Sequence, residues 1–102
     1  MYSNLSKEKN LQKNYCQLYS LENKIATGEI EFFFKCPDKI TLHFEILDNK
    51  FKVIETLVSK EFNSGSHILR YDSIKLSDGV YYYQLRTENQ KTYKKMEIKN
   101  HV

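Results

Sequence analysis

The residues that could do chemistry are few. The histidines are His43, His67 and His101. Zinc and similar metals need three or four convergent ligands, and these positions show no ligand spacing to one another or to Cys16 and Cys36. Glu29 and Glu31 sit two apart, so on a strand they share one face about 7 Å apart. Paired carboxylates at such a distance can serve glycoside hydrolysis, but an ordinary solvent face of a strand looks the same. Ser64, Ser66 and His67 bring hydroxyls near an imidazole, without an oxyanion-hole motif or an acid to orient the base. The sequence therefore points to no catalytic residue, no metal site and no cofactor. Two features remain. Cys16 and Cys36 can pair in an oxidising compartment or stand as small buried thiols in a reducing one; a chain able to build its own core favours free thiols. Within the run Tyr81-Tyr82-Tyr83, alternation turns Tyr82 away from its neighbours. With Val80 and Arg86 it can form an exposed amphipathic stripe suited to a protein or sugar partner, as aromatic side chains often do at interfaces.

The elements that must position these residues follow from composition and pattern. The chain has 102 residues, enough for one domain and one core. Hydrophobic residues make up 40% and charged residues 28%, which excludes disordered and membrane-embedded classes. Tyr and Phe are abundant, whereas Gly and Pro are scarce, which favours strands. The net charge of +3 lies wholly after residue 51, where nine basic residues face six acidic ones, densest at Lys91, Lys94, Lys95 and Lys99. A pI of about 8.8 with only Arg70 and Arg86 as arginines is a thin footprint for nucleic acid. The lysine run reads instead as the outer face of a terminal strand, protecting a sheet edge.

No window of helical length keeps an apolar stripe. Seven strands are expected, over Tyr15–Leu21, Glu29–Lys35, Ile40–Ile46, Lys52–Val58, His67–Tyr71, Val80–Thr87 and Thr92–Lys99. The clearest alternation puts Ile40, Leu42, Phe44 and Ile46 on a buried face and Thr41, His43 and Glu45 on a wet one. Ile54 and Leu57 look like core positions of opposite parity, which predicts a bulge. Met96 and Ile98 point inward. Tyr81 follows a corner at the start of its strand, where a sandwich places a tyrosine whose hydroxyl bonds to the backbone. The expected fold is all-β, a seven-stranded antiparallel immunoglobulin-like β-sandwich over residues 11–102, behind a flexible arm at residues 1–10.

The segment from Gly65 to Asn100 carries a resemblance. Gly65 opens a short strand ending in Tyr71-Asp72. Leu76, Gly79, Tyr81, Tyr82, Tyr83 and Leu85 then form a Leu-x-x-Gly-x-Tyr-aromatic-Tyr-x-Leu run, and Lys94, Lys95 and Met96 lie in a lysine-rich closing strand. This resembles the immunoglobulin-like domains that act as type IX secretion C-terminal sorting domains, and the related flagellar hook-capping domain. Ile40–Asp48, Ile54–Val58 and the opening Leu11-Gln12-Lys13-Asn14-Tyr15 fit the same pattern. Two departures stand out. The family's Pro-Asn-Pro-Phe after Asn-Tyr is replaced by Cys16-Gln17-Leu18-Tyr19. Phe51 stands where the family usually has a turn glycine, so the turn is expected to be built differently.

The resemblance implies a non-enzymatic protein-interaction module whose partner is the secretion machinery. The thin basic footprint argues against nucleic acid, and no apolar run approaches the length of a membrane helix, so no membrane insertion is expected. The alternatives are a standalone self-associating or partner-supporting cytoplasmic subunit and a carbohydrate-binding surface module; the binding residues are left unassigned. The polar N-terminus, Met1 to Asn10, has no apolar run of the kind a secretory leader needs, so the sequence read literally predicts a cytoplasmic protein.

Overall fold

A computed structural model describes residues 15–101. The expected arm at residues 1–10, the domain boundary at residue 11 and the Leu11–Asn14 part of the opening motif lie outside the described residues. Two facing sheets make up the fold. The strands are β1 (Gln17–Leu18), β2 (Ile25–Ala26), β3 (Glu29–Cys36), β4 (Ile40–Leu47), β5 (Val53–Phe62), β6 (Gly65–Asp72), β7 (Gly79–Arg86) and β8 (Lys91–Ile98). One sheet has the order β1-β3-β6, the other β2-β8-β7-β4-β5. The molecule is thus an all-β sandwich.

Eight strands are described where seven were expected. The additional one, β2, is two residues long and runs parallel to the end of β8, with Ile25 opposite Glu97 and Ala26 opposite Ile98. Two residues are too few to display alternation, so only the tertiary pairing reveals it. The first expected strand shrinks to Gln17–Leu18 for a related reason: its pairing with β3 covers two positions. All other ladders are antiparallel.

Aromatic side chains join the two sheets. Phe32 from β3 meets Phe44 of β4 at 5.0 Å and Tyr83 of β7 at 4.8 Å between ring centroids. Phe34 packs on Phe44 and, edge-on, on Phe62. Leu42, Ile46, Leu85, Met96 and Ile98 fill the rest of the buried interior. The alternation of β4 is as expected on its inner face, with Leu42, Phe44 and Ile46 fully buried. On its outer face Glu45 is buried too, against the expectation of a wet position.

The bulge in β5 is there, and it is double. Phe44 pairs with Val58 while Glu45 pairs with Thr56, skipping Leu57; Ile46 pairs with Glu55 while Leu47 pairs with Val53, skipping Ile54. The two residues of opposite parity are the inserted ones. Leu57 packs against the core, whereas Ile54 is exposed, contrary to its expected core role. The bulges lie on an edge strand, where they bend the strand and interrupt its template for further pairing.

The chain's last residues are knitted to the β2–β3 turn. Lys99 N–H donates to the Ala26 carbonyl. Asn100 Oδ1 accepts from the Gly28 N–H at 2.7 Å, and its Nδ2 donates to Ser73 Oγ at 3.2 Å. Ser73 opens a 3-10 turn, Ser73–Lys75, and is itself fully buried. Gly28 has φ 62°, a left-handed conformation that suits glycine.

Candidate functional site

The three tyrosines of β7 divide as alternation demands. Tyr81 Oη donates to the Ser77 carbonyl at 2.7 Å, which is the backbone-bonded corner tyrosine expected at this position. Tyr83 points into the core; its hydroxyl donates to the Tyr19 carbonyl at 3.1 Å and accepts from the Leu21 N–H at 3.2 Å. Burial raises the Tyr83 phenol above its ordinary value. Both side chains therefore hold the fold. Tyr82 takes the other face of the sheet, across from Lys95, and is only partly buried there.

Tyr82 does not stand alone. The Phe51 ring stacks on it at 4.2 Å, 23° from parallel, and Tyr93 of β8 meets both rings edge-on at 5.8 and 5.2 Å. Phe51 and Tyr93 are about half exposed. Phe51 lies in the turn after β4, where Asp48 organises the backbone. The Asp48 carboxylate accepts from the N–H groups of Lys50 and Lys52, and its carbonyl accepts from Phe51 N–H. These donors hold the Asp48 carboxyl below its usual range. The turn is thus the glycine-type turn after all, because Phe51 itself adopts φ 66°. Among the described residues it is the one non-glycine residue with positive φ. A non-glycine residue there costs about 1 kcal/mol or more, and an aromatic stack returns about the same. Stability alone gives no reason to prefer Phe over Gly at this position.

Beside the aromatic cluster lies a polar one. Glu45 Oε1 accepts from Gln84 Nε2 at 3.0 Å and Arg86 Nε at 3.1 Å, while Oε2 accepts from Arg86 Nη2 at 3.0 Å. The Arg86 guanidinium holds the Glu45 carboxyl below its usual value, outweighing the opposing effect of burial. The carboxylate is engaged at both oxygens, so it acts as an anchor for Arg86. His43, opposite Arg86 in the β4–β7 ladder, shares a 2.6 Å hydrogen bond with Ser59 Oγ. Lysines rim the cluster: Lys95 pairs with Tyr82 across β7–β8, and Lys91 pairs with Arg86. Lys91 and Lys95 thus lie on the outer face of β8 as expected, whereas Lys94 pairs with the buried Tyr83 on the inner side and Lys99 lies just past the strand. Among the described residues β2 pairs with β8 only at Glu97 and Ile98, and residues 20–24 border Lys94 and Lys95 beside it.

The other candidates are dispersed. Among the described residues, no three His, Cys, Asp or Glu side chains group in a way that could hold a metal. His67 donates from Nε2 to the Asn63 carbonyl at 2.7 Å, and its ring packs on Phe34 and Phe62, away from any role with Ser64 or Ser66 as nucleophile. His101 bonds Asp78 through Nδ1 at 3.1 Å. Glu31 is bound to Arg70 at 3.0 Å, so Glu29 and Glu31 are not a matched carboxylate pair. They line a shallow cleft of about 310 Å³ with Leu21, Ile25 and Ile30. Sequence reading found Tyr82 and Arg86 but missed Phe51, Tyr93 and Glu45. The signal for Phe51 was the aromatic at the glycine position; the other two need the register.

The family model described as the secretion system C-terminal sorting domain matches residues 26–99. The chain belongs to that sorting-domain family. The match starts at β2 and runs through β8, so it takes in the whole five-stranded sheet with its aromatic cluster. Comparison with curated proteins finds no match. A sorting domain of this kind marks a protein for secretion or the cell surface, which overturns the expectation of a cytoplasmic protein. That expectation rested on a missing apolar leader, and a leader's absence from a sorting domain's own sequence carries no information on compartment.

Proposed function

We propose that this sorting domain is a non-enzymatic recognition module, read by a protein component of the type IX secretion machinery through the outer face of its five-stranded sheet. The family match over residues 26–99 is the observation that carries the reading. The Phe51–Tyr82–Tyr93 cluster supports the choice of surface. It is aromatic, half exposed at Phe51 and Tyr93 and rimmed by Lys91 and Lys95, and it includes a ring held on an unfavourable backbone. Aromatic anchors with a charged surround are what protein interfaces enrich, and strained residues gather at functional surfaces. The lysine rim favours an acidic partner surface. The Glu45–Arg86–Gln84 network stiffens the sheet beneath the anchors and fixes the Arg86 guanidinium beside them.

The test is a reporter carrying a secretory leader and residues 11–102 at its C-terminus, expressed in a bacterium with a type IX system. The wild-type fusion reaches the cell surface or the medium. Phe51→Gly combined with Tyr82→Ser leaves the domain folded and strands the reporter in the periplasm. A wild-type fusion that stays in the periplasm contradicts the sorting role. A double variant exported like wild type contradicts the aromatic face alone.

A further inference from the structure

We propose that Cys16 and Cys36 are an oxidation site, closing into a cross-strand disulfide when the domain reaches an oxidising compartment. This goes beyond recognition, and it rests on the export reading only for the compartment. The β1–β3 ladder pairs Leu18 with Phe34 and Gln17 with Lys35, so the next step outward sets Cys16 directly opposite Cys36. Tyr19 N–H donates to the Phe33 carbonyl. The hydrogen-bonded positions are therefore 19/33 and 17/35, and 16/36 is a non-hydrogen-bonded pair. At such pairs the Cα atoms approach to about 4.5 Å and the side chains lie closest, within the range a disulfide bridges. Both thiols are buried on the same side, in the same core cluster.

A second observation fixes the geometry. At a non-hydrogen-bonded pair the Cys16 backbone groups point away from β3, and both are clamped: its N–H donates to Gln90 Oε1 at 2.8 Å, and Gln90 Nε2 donates to its carbonyl at 2.7 Å. Gln90 is itself braced on Thr92 Oγ1 at 2.9 Å. A side chain from the β7–β8 turn thus holds one cysteine against the other. The thiols also feel each other: burial, then the neighbouring Cys36, push the Cys16 thiol up to about 12, and burial raises Cys36 as well. In the folded domain neither thiol ionises readily, so closure belongs to folding, before the core shuts.

The step is thiol–disulfide exchange with a disulfide oxidant. One cysteine thiolate attacks a sulfur of the oxidant, forming a mixed disulfide and releasing the first oxidant thiol. The second cysteine attacks the first cysteine's sulfur in the mixed disulfide, breaking its bond to the oxidant, forming the Cys16–Cys36 bond and releasing the second oxidant thiol. Two electrons pass to the oxidant, and the two cysteine protons end on its thiols. The bond fastens β1, a two-residue edge strand, to the long strand β3.

The full chain, unfolded and reduced, is refolded in a buffer of oxidised and reduced glutathione, and its thiols are counted by maleimide tagging after denaturation. The expected product is a monomer with no free thiol and a Tm about 10 °C above that of the dithiothreitol-reduced protein. Cys16→Ala and Cys36→Ala each lose that gap; the oxidised and reduced wild-type forms make the comparison even if a variant fails to fold. Two free thiols after refolding, or a disulfide-linked dimer, overturn the proposal. Native protein recovered outside the cell should carry no free thiol. Free thiols there overturn the disulfide and leave export standing. Native protein confined to the cytoplasm overturns export, while the glutathione experiment still decides the site.

Discussion

The ring of Phe51 lies 4.2 Å from that of Tyr82, on a backbone with φ 66°. The strain and the contact have opposite signs and similar size, about 1 kcal/mol each. The pair, with Phe51 about half exposed over a partly buried Tyr82, therefore contributes little net stability, and the proposed recognition role gives it a purpose.

Phe51→Gly should therefore fold with a stability within about 1 kcal/mol of wild type, since it sheds both the strain and the stack. Phe51→Ala keeps the strain and loses the stack, and should cost about 1–2 kcal/mol. Urea denaturation of the two variants makes the comparison. If alanine were as stable as glycine here, the left-handed conformation would not be costing the protein anything.

Tyr81 and Tyr82 are neighbours with different duties. Tyr81→Phe removes the hydroxyl that donates to the Ser77 carbonyl and should cost about 1 kcal/mol by chemical denaturation, without altering export of a fused reporter. Tyr82→Ser should do the reverse. Equal effects of both changes on export would mean that the strand matters only as scaffold.

Glu45 supplies a pH dependence with a definite sign. Its folded-state pKa is depressed, chiefly by Arg86. The associated stabilisation is therefore fully present above the unfolded glutamate value, about 4.3, and is lost as pH falls through the lower folded value. Glu45→Gln should cost about 1–2 kcal/mol at neutral pH, leaving Arg86 without its carboxylate. The difference between variant and wild type should shrink as pH falls below about 4. A constant difference across that range in pH-resolved denaturation would show that ionic pairing is not what Glu45 contributes.

The sandwich was largely legible in the sequence because its strands are long and its signals local. The 40–46 alternation, the inward Met96 and Ile98, and the Tyr81 corner each follow from period-two geometry or a single turn. The opposite parity of Ile54 and Leu57 pointed to a bulge, although not to a second one or to the exposure of Ile54. β2 was illegible because two residues have no period, and its reality lies in Ala26 and Ile98 meeting from opposite ends of the chain. Glu45 read as wet because alternation reports which face a side chain takes, not what lies across it. Arg86 and Gln84 are about 40 residues away in sequence and bury that carboxylate by register alone. The aromatic site was half visible for the same reason: Tyr82 announced itself, whereas Phe51 and Tyr93 join it only once three strands are side by side.

The central claim is that this domain works outside the cytoplasm as a sorting module. Fractionation of native cells, with an antibody raised against the folded domain, tests it most directly. The account predicts the protein at the cell surface or in the medium, and its loss from those fractions when the type IX machinery is disabled. Native protein held in the cytoplasm whether or not that machinery works would contradict it.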